Sequence, residues 1–185
     1  MKIFNLLFVL SLFVSSTICS QTKEEENATD HHKGWESLIE QNYSIKYPDN
    51  WELNRSGIMG TAFFLFSPIA SEEDRFKENV NLIIEDLTGL GLNLEKYTEF
   101  SIKQLSSLIT DGILLENKTI IDRKLNYQKV IYSGTQGVFN LKWEMYCWVY
   151  REKAYVLTFT CEENEFSNYQ DVGEKILNSF QIVKN

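Results

Sequence analysis

The sequence predicts an α+β domain in which helices flank a central antiparallel β-sheet. Short segments rich in β-branched and aromatic residues follow one another along most of the chain, and most are closed by turns containing Pro, Gly, Asn or Asp. Only two stretches place apolar residues at helical spacing, one in mid-chain and one at the end. The regular strand–helix alternation of a parallel, doubly wound sheet is missing, and so are its glycine-rich phosphate turns.

The domain begins near Trp35. Residues 43–47 alternate in polarity as a half-buried strand does, and Pro48 ends the pairing because it has no N–H to donate. Pro48, Asp49 and Asn50 make a turn, and Trp51 starts the next strand. Residues 62–67, reading AFFLFS, are a buried strand closed by Pro68, and the charged run 71–77 is a loop or short helical turn. Residues 80–87 form another strand, after which Gly89 and Gly91 break the pattern. Asn93 carries the short polar side chain that caps a helix, and the stripe Leu94, Tyr97, Ile102, Leu105, Leu108 and Ile109 takes that helix to about Ile109. Four strands follow, over 113–121, 125–133, 138–150 and 154–161. Residues 166–180 close the domain as a helix, and Ile182 and Val183 rejoin the sheet or pack beside it.

Two segments of different character precede the domain. In residues 1–20, Lys2 supplies a positive start, Ile3 to Val14 is apolar apart from Asn5 and Ser11, and small residues follow. This is the layout of a secretory signal peptide. Cleavage after Ser20 leaves Gln21 first; the alternative makes Cys19 a lipid-modified residue that tethers the chain to a membrane. Ile18 stands where a lipoprotein signal carries Gly, Ala or Ser, which argues for removal. The apolar run is short for a retained span. Residues 21–34 are a polar linker, in which adjacent His31 and His32 diverge and lack further ligands, and the domain occupies 35–185. The protein is expected to be periplasmic or secreted, and bound to membrane only if Cys19 is lipidated.

The chain has 18 basic and 26 acidic residues and a formal charge of −8, one unit more negative without Lys2. Such a domain repels phosphate backbones, so nucleic acid is not an expected partner. Nine of the twelve Phe, with nine Tyr and four Trp, fall in residues 35–185 and supply the core of one domain. Cys147 and Cys161 lie on two strands of a hairpin that turns near 151–154. Cys147 then faces a residue near Leu157 to Phe159, and Cys161 is displaced from it by on the order of 7–13 Å along the strand. A disulfide needs Cα atoms within about 7 Å, so both cysteines read as small buried apolar residues.

The segment Tyr-Ser-Ile-Lys-Tyr-Pro-Asp-Asn-Trp at 43–51 resembles the opening of PsbP-like domains. Phe66-Ser67-Pro68, Asn79-Val80-Asn81-Leu82, the Trp/Tyr-rich hairpin ending in 154–160, and the closing Ile176-Leu177-Asn178-Ser179-Phe180 continue the resemblance in order. It covers roughly residues 35–184 and implies an α/β/α sandwich around an antiparallel sheet. It also implies binding rather than catalysis. Members include the extrinsic PsbP subunit of photosystem II, a nuclear factor that binds Ran, and exported bacterial proteins and lipoproteins. The His, Lys and acidic positions used by the photosystem subunit are not matched here, so the photosynthetic role is not carried over.

Chemistry is hard to find in the residues. The chain has no His after His32, so no Ser or Cys of the domain has an imidazole partner. HExxH, CxxC, P-loop and acidic calcium-loop motifs are all missing. The carboxylate pairs Glu85-Asp86 and Glu162-Glu163 are adjacent in sequence, and neighbours on a strand point to opposite faces. No catalytic, metal or cofactor residue is assigned, and the binding residues are left open. On the aromatic hairpin, Trp143, Met145, Cys147 and Val149 share one side, while Tyr146, Trp148 and Tyr150 line the other. That ladder is core if both sheet faces are covered and an interface if one is bare. Asn27, Asn42, Asn54 and Asn117 head Asn-X-Ser/Thr sites that matter only on a eukaryotic secretory route. The expected function is that of an exported, non-enzymatic domain binding a protein or envelope component, with partner and oligomeric state open. The alternatives are a small-ligand carrier and a hydrolase using carboxylates alone.

Overall fold

A computed structural model describes residues 34–183. Residues 1–33, which hold the expected signal peptide with Cys19 and the part of the expected linker with Asn27, His31 and His32, lie outside the described residues. The chain runs β1 (Trp35–Ile39), β2 (Tyr43–Pro48), β3 (Glu52–Asn54), β4 (Phe63–Phe66), β5 (Asn79–Asp86), α1 (Leu94–Leu108), β6 (Thr110–Ile120), β7 (Tyr127–Gln136), β8 (Phe139–Tyr150), β9 (Lys153–Glu162), α2 (Phe166–Ser179) and β10 (Gln181–Ile182). A seven-stranded sheet has the order β3-β4-β5-β9-β8-β7-β6, and a three-stranded sheet the order β1-β2-β10. The pairings in both are antiparallel.

The long β8–β9 hairpin occupies the middle of the large sheet. Its turn is the two residues Arg151 and Glu152, both at positive φ (48° and 54°), the conformation whose twist matches the flanking strands. That short turn sets the register. Cys147 opposes Val156, one position closer to the turn than the 157–159 expected, and Cys161 opposes Lys142. The two cysteines lie on opposite faces and are free and buried.

Each face of the hairpin has its own cover. Trp143, Met145, Cys147 and Val156 pack under α1, with Leu105 and Tyr97 of the helix. Tyr146, Trp148, Tyr155, Leu157 and Phe159 pack under α2 and the small sheet, with Tyr43, Ile45, Ile176 and Phe180. Burying side chains of this size stabilises by about 1.5–3 kcal/mol each relative to exposure. Gly173 of α2 lies so close to the Phe159 ring that a Cβ there would stand 2.6 Å from it, which lets the helix settle onto the sheet. β2 is tied to the end of α2 by Ser179, whose Oγ accepts from Lys46 N at 2.8 Å. The α/β/α sandwich therefore holds, with one refinement: one outer layer is a helix plus a three-stranded sheet. β1 carried no strand signal because only Leu38 of its five residues is buried, so it lacks alternation.

α1 begins as expected, Asn93 accepting from Lys96 N at 2.9 Å. Thr98 and Ser101 face the sheet yet leave no hydroxyl unpaired, because each donates to the carbonyl four residues back.

The α2 side of the sheet also holds a charge. Glu144 is 0% exposed, and its Oε1 meets Lys129 Nζ at 2.6 Å. Burial alone would lower the Lys129 ammonium pKa; the Glu144 carboxylate outweighs it and holds the value above 10.5. The raised value means that this stabilisation is complete below pH 10.5 and is lost as pH rises through the folded-state value. Lys129→Met strands a buried carboxylate and should destabilise by about 3 kcal/mol, whereas Lys129→Met with Glu144→Leu should cost much less. Urea unfolding of both variants measures the difference.

Candidate functional site

Among the described residues, a broad concavity lies between α1 and the β6–β7 margin of the sheet. It is an open groove of about 1020 Å³. Leu94 and Ile102 of α1 form one wall and Leu114 of β6 the other, with Leu125 and Val149 completing the apolar lining. Along the floor runs a chain of polar side chains. Thr119 Oγ donates to Gln128 Oε1 at 2.8 Å, and Gln128 Nε2 donates to Asn117 Oδ1 at 2.6 Å. Glu95, Glu99 and Lys103 stand on the α1 rim, exposed to solvent. The volume and the mixture of apolar walls with a few fixed amides suit binding.

Two smaller spaces lie elsewhere. Under α1, Asn81, Glu85, Tyr97, Thr98, Ser101 and Thr158 line a cavity of about 20 Å³, room for a single water rather than a substrate. On the α2 side, Tyr127, Tyr146, Trp148 and Phe180 floor a cleft of about 170 Å³. Its rings are in mutual contact, with centroids 4.8 Å apart for Tyr127–Tyr146 and 5.0 Å for Trp148–Phe180. Lys124 Nζ donates to Gln181 Oε1 across its mouth at 3.3 Å.

Tyr146 and Trp148 are 4% and 7% exposed, so core packing accounts for most of the aromatic ladder, and Tyr150 is half-buried. Glu85 and Asp86 diverge. Glu85 turns under α1, where its Oε2 accepts from Tyr97 OH at 2.9 Å, and Asp86 is exposed. Glu162 is half-buried and Glu163 exposed. Burial raises the Glu162 pKa first, and the charges of Asp74 and Glu165 add to it. Burial pushes the Cys147 thiol up to about 12 and raises the Cys161 thiol still further, with help from Glu78, so neither is a thiolate nucleophile at neutral pH. Among the described residues no group of three His, Cys, Asp or Glu side chains could hold a metal ion. Asn42 is exposed and Asn54 half-buried, while Asn117 belongs to the groove floor.

The groove residues Leu114, Leu125 and Gln128 carried no sequence signal, and Asn117 showed only its Asn-X-Thr context. Their convergence depends on where α1 crosses the sheet.

Compared as a sequence, the chain matches no family model and no curated protein. Compared as a structure, it is similar to PsbP of the cyanobacterium Synechocystis sp. PCC 6803, with a TM-score of 0.58 and 13% identity over 86% of this chain and 98% of that one. It is similar to LpqN, involved in cell envelope biogenesis of Mycobacterium tuberculosis, with a TM-score of 0.59 and 14% identity over 83% of this chain and 88% of that one. It is also similar to PA94 of Pseudomonas aeruginosa, a protein of unknown function, with a TM-score of 0.58 and 9% identity over 82% of this chain and 98% of that one. The fold is therefore PsbP-like. No helix of the described residues is long and apolar enough to cross a membrane.

Burial raises the Glu85 carboxyl above 4.5, and the Tyr97 hydrogen bond only partly offsets this. A raised carboxyl pKa favours the fold most below pH 4.5, and its contribution shrinks as pH rises through the folded-state value. Glu85→Gln keeps an acceptor for Tyr97 without the charge. Thermal unfolding should therefore show the variant gaining on the wild type between acid and neutral pH.

Proposed function

We propose that the protein is an exported, non-enzymatic binding module whose groove receives a segment of a protein or envelope component. The observation that carries this is the open groove of about 1020 Å³, with apolar walls and an Asn117–Gln128–Thr119 floor of amide and hydroxyl groups. Fixed amides match the donors and acceptors of a polypeptide or a polar headgroup, and the apolar walls take its side chains or chain. Catalysis finds less support. The carboxylates nearest the groove, Glu95 and Glu99, stand on its solvent rim, and the buried thiols are held protonated. The export reading rests on the signal-peptide pattern of residues 1–20, and the envelope role of LpqN, a protein of similar fold, supports it.

The aromatic cleft of about 170 Å³ supports a second reading, that of a small-ligand carrier. Capture from native envelope separates the two. Leu114→Asp puts a charge on the groove wall, and Phe100→Asp puts one on an exposed part of α1 outside it. A partner held by the wild type and by Phe100→Asp, but lost at least ~10-fold by Leu114→Asp, supports the groove. Retention by Leu114→Asp overturns it, and a small molecule co-purifying without any protein favours the carrier.

A further inference from the structure

Among the described residues, the outer edge of β6 has no partner strand in the large sheet. Its pattern of apolar and charged residues is mirrored about Asn117, apart from Leu115 against Thr119. Glu116 and Lys118 flank that residue with opposite charges, and beyond them lie Ile113-Leu114-Leu115 on one side and Thr119-Ile120-Ile121 on the other. Ile113, Leu114, Leu115 and Ile121 are 58%, 43%, 51% and 79% exposed. Edge strands are usually blunted by charged side chains, Pro or bulges, and here the two charges form a pair that a second copy can complement.

We propose that β6 pairs antiparallel with β6 of a second copy of this chain, about a two-fold axis through Asn117 and perpendicular to the sheet. In that register Asn117 faces itself, Glu116 of each copy faces Lys118 of the other, and the apolar 113–115 end of one lies alongside 119–121 of the other. Placing the axis at Glu116 or Lys118 instead sets like charges directly opposite, which disfavours those registers. Lys118 Nζ already meets Glu116 Oε1 of its own chain at 2.8 Å, so both side chains project from one face and four charges alternate in the pair. The register shift between Leu114 and Glu116 keeps the regular pairing short. The dimer is therefore concentration-dependent rather than permanent. Because Asn117 lines the groove and the axis places both copies of α1 on the same side, the two grooves run together across it. The pairing itself does not depend on the groove being the binding site.

Sedimentation of the protein as the cell processes it, from low to high micromolar concentration, tests this directly. A monomer–dimer equilibrium is expected. Lys118→Glu should weaken it ~10-fold or more, and Glu116→Lys with Lys118→Glu should restore it. Asn117→Cys places one thiol against its own copy at a Cα separation of about 4.5–5.5 Å and should give a covalent dimer on oxidation. A monomer throughout, a dimer unaffected by Lys118→Glu, or a charge swap that fails to restore pairing overturns the proposal. Partner capture by the monomeric Lys118→Glu variant would leave the groove reading standing even if it is lost to the dimer.

Discussion

The β8–β9 hairpin is buried on both of its faces, and the rest of the molecule is arranged to make that possible. Trp143, Met145 and Cys147 point one way and Tyr146, Trp148 and Leu157 the other. A strand pair with two apolar faces needs strands beside it and layers above and below. β5 and β7 supply the flanks, α1 covers one face, and α2 with β1, β2 and β10 covers the other. The same burial explains the charged pair beneath α2. Glu144 occupies a hairpin position with no exposure, and Lys129 on the neighbouring strand reaches it from a more open place.

The two covers are unequal, and the candidate site follows from that inequality. Seven strands at about 4.8 Å spacing span on the order of 29 Å, whereas one helix with its side chains is about 10–12 Å across. α2 shares its face with a small sheet; α1 works with loops alone. The β6–β7 margin is left partly uncovered, and the groove forms there. The same margin ends in a strand with one open edge among the described residues, so the groove and the self-complementary edge are two consequences of one shortage of cover.

Much of the fold was legible in the residues, because local chemistry was unambiguous where it mattered. Asn93 could cap α1 wherever the helix packed, Pro48 had to end β2, and alternation along 143–150 described a strand with two different faces. The small sheet was less legible. β1 buries Leu38 alone, and β10 is two residues long, so neither carries a period. The hairpin turn expected around 151–154 is tighter, Arg151 and Glu152 alone, and that two-residue geometry puts Cys147 opposite Val156 rather than further along the strand.

The sequence by itself determined the succession of the main strands, the two helices, the separation of the cysteines, and the lack of a histidine anywhere in residues 35–185. Those properties are written in composition and in periods of two and 3.6 residues, which act locally. Only the tertiary structure decided that Leu114, Asn117 and Gln128 meet across from Ile102, that Glu85 turns under α1, and that β6 is left at an edge. Those outcomes depend on how far one helix can reach across a wide sheet, and no local pattern records that distance.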